Sequence, residues 1–118
     1  MTDETIKTSA RNLVGQIIEV RRHLHAHPEL SFDEHETANY LADRLTEAGI
    51  TFQRIAGTGI LARITGTGDP KRCVVLRADT DALPIQEESG VPFTSVHAGV
   101  MHACGHDAHM AVLLVCAK

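Results

Sequence analysis

RCVVLRADTDALP, residues 72–84, decides the fold class. Its first half is a continuous apolar run, CVVL, flanked by arginines. That pattern predicts a strand covered on both faces, as in α/β proteins. Its second half delivers two carboxylates, Asp79 and Asp81, directly after the strand. The carboxyl ends of buried strands are where α/β folds place their ligand sites. A plainer reading stays open: either aspartate could cap a turn before Pro84.

Working outward, Gly59–Ile64 (GILARI) is a second strand candidate. Gly66, Gly68, Asp69 and Pro70 supply turn chemistry between it and residues 72–78. The two are expected to pair as an antiparallel hairpin with a long loop. Residues 50–55 alternate loosely and form a third candidate. Residues 79–103 read as an irregular connection, a length that usually carries function.

Two helices are expected upstream. From about Thr8 to His25, Leu13, Val14, Ile17, Ile18 and Leu24 make an apolar stripe, flanked by Val20 and His23. Pro28 ends this element. Ser31 and Glu34 have capping-box spacing, which accounts for Glu34. The helix they open carries Ala38, Leu41, Leu45 and Ala48 on one face, and Gly49 stands where a helix-terminating glycine belongs. A last helix begins near His106 or Asp107 and is expected to run, still in helical register, to Lys118.

Composition narrows the function classes. The 118 residues make one modest domain. The net charge is −4, the pI about 6.0 and the mean hydropathy −0.06. There is no basic stripe, and only one Tyr, three Phe and no Trp, so nucleic-acid binding is not expected. No apolar run approaches the roughly 18 residues of a membrane span. The polar N-terminal stretch lacks the apolar core of a secretory signal, so a cytoplasmic location is the expectation. Three irregularly spaced cysteines give no disulfide framework. Cys73 and Cys116 sit in apolar surroundings and read as buried small hydrophobes.

Chemistry concentrates in MHACGHDAH, residues 101–109, with three histidines, one cysteine and one aspartate in nine positions. Thiolate and imidazole are the preferred donors for zinc and similar metals. Cys104 and His106 lie two apart across Gly105, which lets the backbone bend tightly. His102, His106 and His109 would align only on a continuous helix, which Gly105 opposes. A nucleophilic Cys104 activated by His106 is the competing reading. It is disfavoured because the two are too close in sequence for an independent base. His23 and His27, one turn apart, read as a cluster favourable to a helix C-terminus. Glu87 and Glu88 read as solvated loop charges.

RRHLHAHPELSFDEHET, GTGILARI, VVLRADTDALPIQEESGVPF and GVMHACGHDAHMAVLL, in that order, resemble the amidohydrolase branch of the dinuclear metallopeptidases. That branch includes hippurate hydrolases, N-acyl-amino-acid amidohydrolases, N-acetyldiaminopimelate deacetylases and auxin-conjugate hydrolases. The resemblance runs from about residue 11 to the end. It implies the N-terminal part of a three-layer α/β/α zinc-peptidase-like domain with a mixed sheet, residues 1–118 falling inside one catalytic domain. A lid and dimerisation domain comes later in family members, so homo-oligomers are among the expectations. The implied reaction is metal-dependent hydrolysis of the amide bond of small-molecule N-acyl amino acids, supported by two divalent ions (Zn, Mn, Ni or Co). Cys104 and His106 match metal ligands. Asp81 matches an acidic residue that orients a ligand histidine, and Asp79 stands where related peptidases have a ligand histidine. His102, Asp107 and His109 match positions typical of the branch without an assigned role. Val115 and Cys116 stand where the family usually has small residues. The family's general base and remaining ligands lie downstream of the CGHD segment, at positions expected beyond Lys118. These 118 residues are therefore expected to be inactive alone. The alternative is a non-catalytic module that binds metal through Cys104, His102, His106 and His109, or an interaction fragment whose unfinished sheet associates.

Overall fold

A computed structural model describes residues 2–118. The order is α1 (Asp3–Ala26), α2 (His35–Glu47), β1 (Phe52–Ile55), β2 (Gly59–Ala62) and α3 (His106–Cys116). The chain thus combines helices with a small antiparallel sheet, an α/β arrangement.

α1 starts at Thr2, whose side chain accepts from the Thr5 N–H, and ends one residue before His27, ahead of Pro28. Its buried face is narrower than the stripe in the sequence suggests. Val20 and Leu24 are buried, Leu13 and Ile17 half-buried against the core, and Val14 and Ile18 exposed. α3 packs on this face with Met110, Ala111, Leu114 and Val115, and α2 adds Leu41 and Leu45. Ala38 is buried on α2 as expected, but Ala42 is buried where Ala48 was anticipated, and Ala48 is exposed.

α3 stops at Cys116, two residues short of the expected Lys118. Lys118 lies outside the helix and is exposed, with its Nζ 3.4 Å from Gln16 Oε1 on α1. It is a surface contact between α1 and the end of α3, far along the helix from the Cys104–His106 pair at the other end.

The end of α2 follows its glycine. Gly49 has φ +70° and donates to the Thr46 carbonyl, while Ile50 N–H reaches back to Leu45 O at 2.9 Å. These two bonds satisfy carbonyls the helix leaves over, and Ile50 then packs into the same core as Leu45. The start of α2 differs from the capping box. Ser31 Oγ donates instead to Asp81 Oδ2 at 2.9 Å, and Glu34 is the residue before the helix without capping it. The cap comes from Glu29, whose two carboxylate oxygens accept the Glu36 and Thr37 N–H groups at 3.0 and 2.7 Å. Phe32, between Ser31 and the start of α2, has a left-handed φ of +70°.

The expected hairpin is replaced. β2 pairs with β1, in the register Phe52–Ala62 to Ile55–Gly59, across a short turn in which Ala56 and Gly57 have positive φ. A short connection wins over a long one because it loses less chain entropy. A side chain at 59 would put its Cβ 2.9 Å from the Ile55 carbonyl, so the closing pair needs glycine. Residues 72–78 form no strand. Val74, Val75 and Leu76 are 84, 80 and 70% exposed. Two covered faces require neighbouring strands on the edges and helices above and below, and the described residues supply neither. Cys73 and Cys116 are likewise exposed rather than buried.

Residues 79–103 are irregular but tied down. Ala82 bridges in parallel to Leu30, and Leu83 in antiparallel to Met101. Val96 N–H donates to Ala26 O at 2.9 Å. No helix among the described residues is long and apolar enough to cross a membrane.

Leu24 is 2% exposed at the centre of the three-helix contact. Leu24→Ala is expected to lower stability by about 2–5 kcal/mol, whereas Val14→Ala stays within about 0.5 kcal/mol. Urea unfolding of both variants checks the contrast.

Candidate metal centre

Gly105, at φ +94°, separates the extended approach of residues 101–104 from α3. Few side chains tolerate that conformation, so this position turns the chain and starts the helix at once. It also divides the histidines. His106 and His109 lie on α3 with ring centroids 6.3 Å apart, while His102 precedes the turn and is buried. Cys104 is exposed.

His106 has a defined orientation. Its Nδ1 faces the Asp81 backbone carbonyl at 2.9 Å and Asp81 Oδ1 at 3.1 Å. Both are acceptors, so Nδ1 carries the proton and donates. Nε2, on the opposite side of the ring, lies 3.8 Å from Asp79 Oδ2. Asp79 is itself paired with Arg77 at 2.6 Å. Asp81 is held on its other side by Ser31, and this hydrogen bond, helped by His106, keeps its carboxyl below the ordinary range despite partial burial.

An imidazole held at Nδ1 by oxygen acceptors is the usual arrangement of a metal-ligating histidine. Two positions earlier in the chain, before Gly105, Cys104 is exposed. These donor types fit a borderline divalent ion. Among the described residues no group of three or more His, Cys, Asp or Glu side chains could hold a metal. The donors of the alternative four-residue reading are unequally placed, His102 being buried while Cys104 and His109 are exposed. Burial pushes the His102 imidazole below its ordinary pKa, and neither ring nitrogen finds a protein partner. His23 and His27 form no metal pair either. They stack on each other at 4.5 Å, and His23 stacks on Tyr40 at 3.9 Å.

Behind the turn lies a charge cluster that the sequence reading missed. Asp107, 1% exposed, accepts through Oδ2 from Arg21 Nε at 2.9 Å and from His25 Nδ1 at 2.7 Å. His25 Nε2 meets Glu87 Oε1 at 2.9 Å. A carboxylate oxygen thus faces each nitrogen, so the ring bridges Asp107 and Glu87. Phe93 covers the group edge-on to His25, under the guanidiniums of Arg21 and Arg22. Glu87 is therefore a buried anchor rather than a solvated charge, and His25 a core residue. The loop position of Glu87 gave no periodicity that would have revealed this. Glu34 is another buried acid, taking hydrogen bonds from Thr58 at 2.7 Å and Thr80 at 3.4 Å.

The comparisons with known proteins concern the same segments. The model for "Peptidase family M20/M25/M40" matches residues 75–118. An N-acyl-L-amino acid amidohydrolase from Geobacillus stearothermophilus is 50% identical over all of this chain and 32% of its own length. An N-acetyl-L-cysteine deacetylase from Bacillus subtilis is 45% identical over 97% of this chain and 27% of its own. A Bacillus subtilis structure described as a dinuclear metal binding peptidase superposes with TM-score 0.82 at 43% identity, over 88% of this chain and 30% of that one. The chain thus spans about a third or less of the length of these relatives.

Burial acts to raise the Glu87 carboxyl, but donors from Ser89, the Ser95 N–H and His25 outweigh it and pull the pKa from 4.5 to about 2. A depressed carboxylate stabilises the fold above the unfolded value and loses that contribution as pH falls toward the folded one. The stability gap between wild type and Glu87→Gln is expected to be largest above pH 4.5 and to close toward pH 2. Denaturant titrations at stepped pH check it.

Proposed function

We propose that this chain belongs to peptidase family M20/M25/M40, whose model matches residues 75–118, and that it forms part of the catalytic domain of a metal-dependent amidohydrolase acting on N-acyl amino acids. The observation that carries this reading is the orientation of His106. Its Nδ1–H is fixed by Asp81, and its Nε2 is turned toward the side where Asp79 stands. In this reading Cys104 and His106 are metal ligands. Asp81 is the residue that sets the tautomer and direction of His106. The names of the amidohydrolase and deacetylase relatives support the substrate class. The dinuclear relative supports a divalent metal pair; the family resemblance implies zinc, manganese, nickel or cobalt, and among these a thiolate with an imidazole favours zinc.

When bound, such ions lower the pKa of a coordinated water and polarise the scissile carbonyl. This chain's own residues do narrower work. The Asp81 carbonyl and carboxylate hold a proton on His106 Nδ1, so Nε2 is the donor atom. Gly105 turns the chain between Cys104 and His106, the first residue of α3. The general base and the remaining ligands come, on this reading, from beyond Lys118, outside the matched span. On this reading these 118 residues, about a third of the length of the amidohydrolase relative, are expected to be inactive by themselves.

Cobalt(II) titration tests the ligand pair. A sulfur-to-cobalt charge-transfer band is expected and disappears in Cys104→Ser. Equal binding with and without the thiol, and no such band, would refute the assignment. In a polypeptide carrying the full length of the relatives, hydrolysis of N-acetyl and N-benzoyl amino acids is expected to vanish with chelator. Asp81→Asn there should weaken metal binding by about 10-fold, the low end of such effects, because the Asp81 backbone carbonyl still orients His106.

A further inference from the structure

His106 is the first residue of α3, and Asp107 is its immediate neighbour in the same turn. A first turn entered through a left-handed glycine can roll, because no side chain caps its N-terminus. The roll decides where Nε2 of His106 points. Two attachments oppose it. On one side His106 itself is bonded to Asp81. On the other, Asp107 Oδ2 is gripped by α1 through Arg21 and His25. That second attachment is anchored in turn by Glu87, which holds the far nitrogen of His25. Glu87 is fixed by Ser89 Oγ and by the Ser95 N–H, at 2.5 and 2.6 Å.

Arg21 and the His25 ring face two carboxylates, Asp107 and Glu87, and the side chains of His25, Glu87 and Asp107 are at most 4% exposed. Removing one member of such a group leaves another uncompensated, which costs far more than an ordinary hydrogen bond. With Glu87 neutral, His25 has one fewer anion to hold its second proton and can rotate away from Asp107.

We propose that Glu87 and His25 are positioning residues: acting through Asp107, they fix the roll of the first turn of α3 and thereby the direction of the His106 imidazole. This deepens the metal-site reading and rests on it for its purpose. The positional effect itself is measurable in the metal-free chain.

Ring nitrogen NMR of the full 118-residue chain reads it directly. In the wild type, His25 should show two protonated nitrogens, and His106 the Nδ1–H form with a slowly exchanging ring proton. In Glu87→Gln, exchange of the His106 ring proton is expected to speed up by about tenfold or more, while backbone amides of α2 change little. Ser89→Ala, which removes one donor to Glu87, should give a smaller change of the same sign and keeps the test open if Glu87→Gln fails to fold. Leu45→Ala supplies the structural comparison, since it destabilises the core without touching the charge cluster and should leave the His106 tautomer intact. An unchanged His106 ring in both Glu87→Gln and Ser89→Ala overturns the proposal, as does an equal disturbance in Leu45→Ala. Cobalt titration of the same variants separates the two ideas. Loss of ring order with a wild-type thiolate band keeps the ligand assignment and places His106 orientation outside what that band requires. Intact positioning with no thiolate band in the wild type refutes only the metal reading.

Discussion

The carboxylate of Asp107 has to be answered by positive charge, because it is buried at the start of α3, where water cannot screen it. Arg21 and His25, one turn apart on α1, supply the answer. Much of the architecture follows from that need. α1 must run far enough to place position 25 beside α3. The loop through Glu87 must fold inward to complete the second side of the imidazole. Phe93, from the same loop, then seals the group. The apolar contact of Val20, Leu24, Met110, Ala111 and Leu114 supplies the cohesion between the two helices. The ionic contact supplies their register, because apolar packing tolerates small slips that directed hydrogen bonds do not.

Helix starts in this molecule are controlled from a distance. α2 is capped by Glu29, seven and eight residues before the N–H groups it accepts. Burial acts to raise the Glu29 carboxyl, but those donors outweigh it and hold the group below the ordinary range. Ser31, released from capping, instead supports Asp81, and Asp81 supports His106. The segment between α1 and α2 therefore both starts a helix and braces the turn that carries Cys104 and His106. A single irregular stretch can do both because its polar groups have no regular ladder to satisfy.

Residues 72–78 show the opposite condition. They are apolar, β-prone and uncovered, with Val74, Val75 and Leu76 largely in solvent. The same segment opens the region matched by the family model. Its exposure has a simple cause: a two-sided strand draws its neighbours from sequence-distant parts of a chain.

By itself the sequence determined the local features whose causes are local: α1 stopped ahead of Pro28, α2 ended at Gly49, α3 started beside Gly105, and thiol and imidazole were set two positions apart. It also carried the family likeness, which rests on ordered motifs rather than on contacts. It could not show that Glu29 rather than Ser31 caps α2, that β1 rather than residues 72–78 pairs with β2, or that His25 and Glu87 are buried partners. Those outcomes depend on contacts between distant positions, as the separation of 86 positions from Arg21 to Asp107 illustrates. A polar side chain in a loop has no periodicity to betray its burial. Only the folded chain decides which charge it meets, because the energy of a buried ion depends on what stands within a few ångströms of it.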